Sequence, residues 1–425
     1  MKRILIVCDY FFPSTSIGAV RPSKITKMLI NHGYSVDVFT RYQVKTGTLN
    51  FGANIFGFKN AEKDNSIRNN HIQTERTGIK RFLFDNFTTI YNFLYKIKAA
   101  MLANKSNKEM VSAFKNFVAK NDSDYDVIFS TFGPLSSLLC GLYYKKTHPD
   151  TKWICDFRDP AVVSQVGPVR RFFLRFKEQQ ACKLADEIVA VSNGYIDRIC
   201  GEKYKEKRHM IPNGYDKADL VYNDMVSDEY DFLSLVYVGI LYGQMRDVTP
   251  IFEALKELSV EGKIDLNKVK FNYAGIDYVN LKKQADIFEM SDIIINHGVL
   301  PRCECLKLQF SSDLLVLSTW NTKKEYGVFP GKLLEYMLIR KPIVTTVSGD
   351  VPDSEVAQVV KEGNLGIVYE EINRTKDLKS LKSYLESAYN HKLKDRFIPF
   401  EPNQAVLDRY CYESIVSQIE SIIEK

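Results

Sequence analysis

Short apolar runs alternate with longer amphipathic stretches along most of the chain. The first run, residues 3–8, is continuously apolar after Arg3, which is typical of a strand buried on both faces of a parallel sheet. After it we expect a helix that opens at Pro22 and closes at Gly33, since these residues favour the two ends of a helix. In this first series the pattern predicts strands at residues 3–8, 35–40, 127–130, 152–155, 187–191 and 208–211.

A second series begins after the turn signal Pro212-Asn213-Gly214. Its predicted strands lie at residues 233–239, 270–274, 293–296, 313–318, 342–346 and 365–369. Repeated strand–helix alternation predicts an α/β fold of two doubly wound parallel-sheet domains that face a cleft. The last segment, from about Asn403, has helical spacing and an apolar face that needs a partner. We therefore expect one domain of residues 1–212 plus 403–425, and a second of residues 213–402.

Three segments do not follow the alternation. Residues 41–78 show no clear periodicity and are interpreted as a long loop. Residues 79–105 and 168–177 combine phenylalanine and tyrosine with lysine and arginine, a composition that suits an interfacial helix on an anionic membrane. The alternative for each segment is a helix that packs on the core and has a cationic outer face. Two such segments in one domain favour peripheral attachment to the inner face of the plasma membrane.

Composition narrows the class of protein. The 425 residues include 58 Lys and Arg against 52 Asp and Glu, a formal net charge of +6 that is too mild for a typical nucleic-acid binder. The eight cysteines show no Cys-x-x-Cys spacing, so we expect reduced thiols and no metal site. No signal peptide or spanning segment is visible, which leads us to expect a cytoplasmic protein.

Glycines and cations recur at the turns from strand to helix. Gly18 precedes the first helix, and Gly239 and Arg246 follow the first strand of the second series. Such turns suit phosphate, because glycine lets backbone N–H groups approach it and arginine matches its geometry. The alternatives are an ordinary loop and a solvated surface arginine.

A third turn, GVFPGKLLEYM, carries Pro330, Gly331, Lys332 and Leu333 at the start of a helix, with Glu335 one turn further in. Backbone amides and Lys332 can bind phosphate there, and the Glu335 carboxylate can accept hydrogen bonds from two ribose hydroxyls. The alternative for Glu335 is an acid on an exposed helix face.

A fourth turn carries Asp156, Arg158 and Asp159 just after a predicted strand. These residues can position an acceptor or stabilise developing positive charge. Equally, they can be a buried Asp–Arg pair that fixes the turn. Histidine is scarce, and none of the six stands in a clear catalytic context.

Taken together and in order, five motifs resemble the retaining glycosyltransferases of family 4, which have the GT-B fold. They are the opening ILIVCDYFFPSTSIGAVRPS, then ICDFRDP, IPNGYD, YVGILYGQMRD and GVFPGKLLEYMLIRKPIV. The resemblance covers most of the chain except residues 41–125. It implies a nucleotide-diphosphate sugar bound mainly by the C-terminal domain, with Glu335 on the ribose, Arg246 near the diphosphate and the backbone at Val299 near the base. It also places Gly18 beside the donor phosphates.

Two positions depart from the family pattern. Gly327 stands where the first of two glutamates is expected, and Ile17 replaces the first glycine of an N-terminal pair. The P-G-K-L-x-E form resembles a variant with Lys332 beside the phosphates. The implied activity is transfer of a hexose, with retention, from a donor that is UDP-linked by default, to a lipid-linked or glycan acceptor in bacterial surface polysaccharide synthesis. It requires no metal or cofactor. The alternatives are an inactive transferase-like binding subunit and a nucleotide-sugar 2-epimerase.

Overall fold

Contacts divide the chain into two units. The computed structural model describes residues 2–14, 16–43, 52–59, 88–121, 124–162, 167–219, 231–243 and 245–425. The first unit comprises Met1–Val191, Ile196–Ile211 and Val416–Lys425, and the second comprises Ser192–Tyr195 and Pro212–Ile415. The short segment Ser192–Tyr195 and the helix that starts at Gln404 thus group with the second unit, in contrast to the boundaries expected from the sequence.

The first unit is built on a seven-stranded parallel sheet with the order β3-β2-β1-β4-β5-β6-β7. Its strands are β1 (Arg3–Val7), β2 (Ser35–Tyr42), β3 (Asn54–Lys59), β4 (Val127–Phe132), β5 (Lys152–Phe157), β6 (Glu187–Ala190) and β7 (Arg208–Met210). Its helices are α1 (Ile17–Asn31), α2 (Thr88–Lys120), α3 (Leu135–Thr147), α4 (Pro168–Leu184) and α5 (Asn193–Ile199), the last shared with the second unit at its first turn.

The second unit is built on a six-stranded parallel sheet with the order β10-β9-β8-β11-β12-β13. Its strands are β8 (Leu233–Val238), β9 (Val269–Ala274), β10 (Ile294–Asn296), β11 (Leu314–Trp320), β12 (Ile343–Ser348) and β13 (Gly366–Glu370). Its helices are α6 (Thr249–Val260), α7 (Tyr278–Asp286), α8 (Arg302–Ser311), α9 (Gly331–Ile339), α10 (Glu355–Glu362), α11 (Arg374–Asp395) and α12 (Gln404–Arg409). A final helix, α13 (Tyr412–Glu424), begins in this unit and ends in the first.

Continuous apolar runs form the central strands because both faces of each sheet are covered. All six residues of β4 and of β8 are buried. In the second unit, one apolar cluster packs α6 and α11 on one face of the sheet, and another packs α9 and α10 on the other. The two parallel sheets confirm the α/β architecture that the alternation predicts.

Helix α1 begins earlier than the sequence predicts. It starts at Ile17, after the N-cap Ser16, so Pro22 lies inside the helix and not at its start. Proline has no N–H to bond to the carbonyl four residues earlier, which here belongs to Gly18. Arg158 compensates, because its Nη1 donates to the Gly18 carbonyl at 2.5 Å. The interpretation of Pro22 as a helix start is therefore wrong.

The described residues between β2 and β4 include a strand and a long helix, and much of the stretch interpreted as a loop, residues 44–51 and 60–78, lies outside them. Strand β3 pairs in parallel with β2 at the edge of the sheet, inside the stretch interpreted as a long loop. Residues 79–87 of the predicted basic-aromatic helix lie outside the described residues. The helix that follows, α2, runs on to Lys120 and well beyond the expected end at residue 105.

The chain end returns to the first unit through α13. The Lys2 ammonium donates to the carbonyl of Ile423 at 2.7 Å, and the Tyr34 hydroxyl donates to Glu424 at 2.9 Å. Ile419 on the same helix is fully buried. Among the described helices, none combines the length and apolarity required to span a bilayer.

Replacing Ile419 with alanine should destabilise the protein, because it leaves a cavity under a helix whose other side is in water. We expect the free energy of unfolding to fall by about 2–5 kcal/mol, measured by urea denaturation. Ser417→Ala, at an exposed position of the same helix, is the control and should change it by less than about 0.5 kcal/mol. Equal effects of the two substitutions would contradict the packing of α13.

Candidate functional site

The order of strands in the second sheet reverses between β8 and β11. Chain connections therefore leave in opposite directions from this point, and the carboxyl ends of the two strands border a crevice, the usual ligand site of an open α/β sheet. The turn after β8 carries Gly239 and Arg246, and Trp320 ends β11. Two residues expected to bind the donor thus lie at the crevice.

The turn at Gly239 is rigidly held. Its N–H donates to the Ala274 carbonyl at 2.7 Å, and its own carbonyl accepts from the Tyr273 hydroxyl at 2.9 Å. The φ angle of Gly239 is 130°, a value that disfavours other residues. A Cβ placed here would lie 2.8 Å from Cε of Lys332, so Lys332 lies directly across the glycine backbone. The φ angle therefore favours glycine at this position, and a side chain here would also displace the end of Lys332.

Arg246 is fixed beside this turn by two rings and one carbonyl. Its guanidinium carbon lies 4.7 Å from the ring centre of Tyr242 and 5.8 Å from that of Trp320. Its Nη1 donates to the carbonyl of Ile240 at 2.9 Å. Within the described part of the chain, the buried Nε of Arg246 and Nε1 of Trp320 have no hydrogen-bond partner. The site therefore retains donors for an anionic or hydroxylated ligand.

Helix α9 points its N-terminus into the same region. Pro330 is the N-cap and provides no side-chain hydrogen bond, and no acid lies in the first turn. The N–H groups of Gly331 and Lys332 thus belong to the unsatisfied first turn, which favours negative charge. Leu333 differs: its side chain is fully buried in the core and its N–H donates to the Pro330 carbonyl at 3.0 Å. Its contribution to ligand binding is limited to positioning the helix.

The charge of Lys332 is only partly compensated by its surroundings. Its ammonium group makes no hydrogen bond or ion pair with the described residues. Burial lowers the pKa of Lys332, Glu335 opposes this shift and the positive charge of Arg246 adds to it. An anion between Lys332 and Arg246 would relieve both the burial penalty and the repulsion between the two cations.

Glu335 lies one turn further along α9 and is partly shielded, with 19% of its side chain exposed. Arg302, at the start of α8, approaches it to 3.5 Å between Nη1 and Oε2. This pair brings Glu335 next to the loop that joins β10 to α8. Val299 in that loop is 70% exposed, so its backbone and side chain remain available to a ligand.

Position 327 accommodates only glycine. The φ angle of Gly327 is 75°, and a Cβ there would lie 2.5 Å from Cα of Gly194. The Gly327 carbonyl also accepts a hydrogen bond from the Ser192 hydroxyl at 2.6 Å. A glutamate cannot be placed here without moving the backbone, which explains physically why the expected acid is absent.

The first unit has its own switch point, between β1 and β4, and Arg158 lies beside it. Its Nε donates to the Phe132 carbonyl at 3.2 Å, and its two terminal nitrogens donate to the carbonyls of Gly18 and Gly133. A Cβ at either glycine would lie 2.9 Å from the guanidinium. The structure thus brings Gly18 next to Arg158, and carbonyls hold the arginine in place of a carboxylate.

The two aspartates of the same turn have different environments. Asp156 is fully buried, and its carboxylate accepts from Nη2 of Arg21 at 2.9 Å and from the Thr131 hydroxyl at 2.8 Å. Asp159 is exposed and makes no hydrogen bond or ion pair with the described residues. The buried Asp–Arg pair weighed in the sequence therefore exists, although its arginine is Arg21 and not Arg158.

Three residues at the second-unit site were not predicted from the sequence: Tyr242, Trp320 and Arg302. Trp320 could have been found from its position, since it ends a strand next to the switch point. Arg302 comes close to Glu335 only through packing of α8 on α9, which no local pattern reveals. No group of three or more His, Cys, Asp or Glu side chains with the arrangement of a metal site occurs among the described residues.

Comparison with solved structures identifies the fold. The sequence matches no family model and no curated protein. It is similar to sucrose-phosphate synthase from Thermosynechococcus elongatus at 13% identity and a TM-score of 0.61, covering 100% of this chain and 98% of that one. It is also similar to the lipopolysaccharide outer core galactosyltransferase WaaB, at 12% identity and a TM-score of 0.58, with 100% and 99% covered.

A third similar structure, from E. coli and bound with UDP-2-fluoro glucose, is 11% identical with a TM-score of 0.60, and 100% and 99% of the two chains are covered. Together with the two parallel sheets, these matches show that the chain has the GT-B fold over its full length. At these identities the likeness establishes the fold, whereas the family 4 assignment and the activity stay predictions.

Substitution of the two aspartates should separate their roles. Asp156→Ala leaves the buried Arg21 without its carboxylate, so we expect a loss of about 3–5 kcal/mol in the free energy of unfolding. Asp159→Ala removes an exposed acid and should change it by less than about 0.5 kcal/mol. Urea denaturation of both variants and of the wild type measures the two changes. A destabilising Asp159→Ala together with a neutral Asp156→Ala would contradict this placement.

Proposed function

We propose that the chain is a retaining glycosyltransferase that takes a sugar from a nucleotide-diphosphate donor, UDP-linked by default. The observation that carries the proposal is the pair Lys332 and Arg246, two cations that form no ion pair with the described residues, beside the N-terminus of α9. A diphosphate fits this arrangement because it carries two negative charges a few ångströms apart. Glu335 then lies where a ribose bound next to that diphosphate can donate to it.

The names of the similar structures agree with this reading. One is a sucrose-phosphate synthase, one a galactosyltransferase of the lipopolysaccharide outer core, and one is bound with UDP-2-fluoro glucose. A hexose donor and an acceptor in surface polysaccharide synthesis, lipid-linked or glycan, are the assignments we favour for this chain. Val299 is proposed to contact the base through its backbone, and Gly331 to bind phosphate through its N–H.

In the proposed reaction, the C1–O bond to the diphosphate breaks and its electron pair stays on the leaving phosphate. The acceptor hydroxyl attacks C1 on the same face, and its proton passes to the departing phosphate oxygen, so no enzymic base is required. Arg246, Lys332 and the α9 N-terminus stabilise the charge that develops on the leaving group. Their positive charge also replaces a divalent metal.

For the first unit we propose roles on the acceptor side for Arg158 and Asp159. Arg158 is rigidly held at the switch point, and Asp159 is exposed beside it. Asp156 is left out of this proposal because Arg21 and Thr131 already use its carboxylate. Gly18 lies beside Arg158 at the same switch point.

The glycine at position 327 favours a second candidate function. The acid expected there is excluded by the backbone of Gly194, so one group for recognising sugar hydroxyls is missing. A transferase-like subunit that binds a nucleotide sugar without reacting would have the same features. A 2-epimerase is a weaker candidate, because histidine is scarce and the PGKLxE motif resembles that of transferases.

The direct test is slow hydrolysis of donors. Purified protein is incubated with a panel of nucleotide sugars, and products are followed by NMR, which also reports the anomeric configuration. We expect one sugar to be released with retention. Binding without release would support the inactive subunit, an epimerised nucleotide sugar would support the epimerase, and binding of no nucleotide sugar would contradict the donor site.

Glu335→Gln preserves shape and removes the charge that would accept the ribose hydrogen bonds. Each such bond to a charged group contributes roughly 1.5–3 kcal/mol, so the apparent KM for the donor should rise at least tenfold. Glu304→Gln, an exposed acid on α8, is the matched control and should leave KM unchanged. An unchanged KM for Glu335→Gln would mean that Glu335 is a surface acid.

A further inference from the structure

Helix α4 of the first unit exposes four large apolar side chains. On α4, Val169, Phe172, Phe173 and Phe176 are 84%, 78%, 47% and 50% exposed. Their spacing is i, i+3, i+4 and i+7, which places them on one face of the helix. The opposite face carries Leu174, Glu178, Ala181 and Cys182, all buried in the unit. The stripe therefore faces away from the core, and ordinary folding does not account for it.

Cations border this stripe on both sides. Arg170 and Lys177 flank it along one edge, and Arg175 lies beyond the other, as the 3.6-residue period requires. The only acid of the helix, Glu178, is fully buried and paired with Arg175 at 2.7 Å. Lys177 also lies 5.8 Å and 5.3 Å from the ring centres of Phe173 and Phe176. The exposed surface of α4 is thus apolar and positively charged, with no exposed acid.

We propose that the exposed face of α4 is a docking surface for an anionic lipid bilayer. Three phenylalanine rings can enter the boundary between headgroups and acyl chains, while the flanking cations contact anionic headgroups. Charge complementarity favours this occupant over a second copy of the chain, because two copies would bring Arg170 and Lys177 of one against the same two cations of the other. The proposal stands independently of the transferase activity, although a lipid-linked acceptor would be consistent with it.

Cosedimentation with vesicles tests the surface on the full chain. The wild type should bind vesicles of phosphatidylglycerol and phosphatidylcholine at low salt, and binding should weaken at least tenfold at 0.5 M salt or on pure phosphatidylcholine. Phe172→Ser combined with Phe176→Ser should reduce binding to the anionic vesicles at least tenfold. Arg170→Glu should weaken it about tenfold at low salt and have little effect at high salt.

Val260→Ser is the matched control, since Val260 is 78% exposed on a helix of the second unit, and it should bind vesicles as the wild type does. The thermal unfolding midpoint and UDP binding of each variant verify that the fold and the donor site are intact. A variant that loses vesicle binding but binds UDP normally therefore tests the lipid proposal alone. Loss of UDP binding with normal vesicle binding would concern the proposed function alone.

Three outcomes would overturn the proposal. The first is equal binding to neutral and anionic vesicles, and the second is undiminished binding by the double phenylalanine variant. The third is a wild-type dimer in sedimentation that the same double variant dissociates, because the stripe would then be an interface between copies of this chain.

Discussion

Both sheets are covered on both faces, and this constraint shapes everything else in the molecule. Strands such as β4 and β8 are buried on both faces and have no solvent-exposed side. Charged and hydrogen-bonding groups are therefore concentrated at the carboxyl ends of the strands. At each switch point a glycine lies against the end of a cationic side chain. Gly239 lets Lys332 lie across the backbone, and Gly18 and Gly133 make room for Arg158.

The cations at the two switch points differ in their hydrogen-bond partners. Around Arg158, backbone carbonyls of Phe132, Gly18 and Gly133 accept the available N–H groups, so the guanidinium is well satisfied. Among the described residues, neither the Lys332 ammonium group nor Nε of Arg246 has a carboxylate or carbonyl as hydrogen-bond acceptor. A buried cation without a partner is costly, and such a cost is retained where a ligand supplies the missing charge.

Local pattern predicted much of this architecture, and its errors have tertiary causes. The apolar runs gave the central strands because burial on both faces leaves no other composition. Strand β3 was not predicted because it is an edge strand and only partly buried. Its sequence shows no clear alternation of apolar and polar residues. Pro22 was misplaced because Arg158, 136 positions later in the chain, satisfies the carbonyl that the proline frees.

The candidate site was predictable to a similar extent. Lys332 and Glu335 lie at the start of one helix as the motif indicates, because a Pro-Gly turn fixes that start locally. The rings that hold Arg246 and the approach of Arg302 to Glu335 depend on packing between distant elements, so no spacing reveals them. The identity of the Asp156 partner was likewise undecidable, since Arg21 and Arg158 are both arginines near the same turn.

The central claim is that Lys332 binds the diphosphate of a nucleotide. Calorimetric titration of wild type and Lys332→Met with UDP and with uridine tests it most directly, since only UDP carries phosphates. The account predicts that Lys332→Met weakens UDP binding at least tenfold and leaves uridine binding unchanged, which also shows that the variant is folded. Equal affinity of both proteins for UDP, or an equal loss for UDP and uridine, would contradict it.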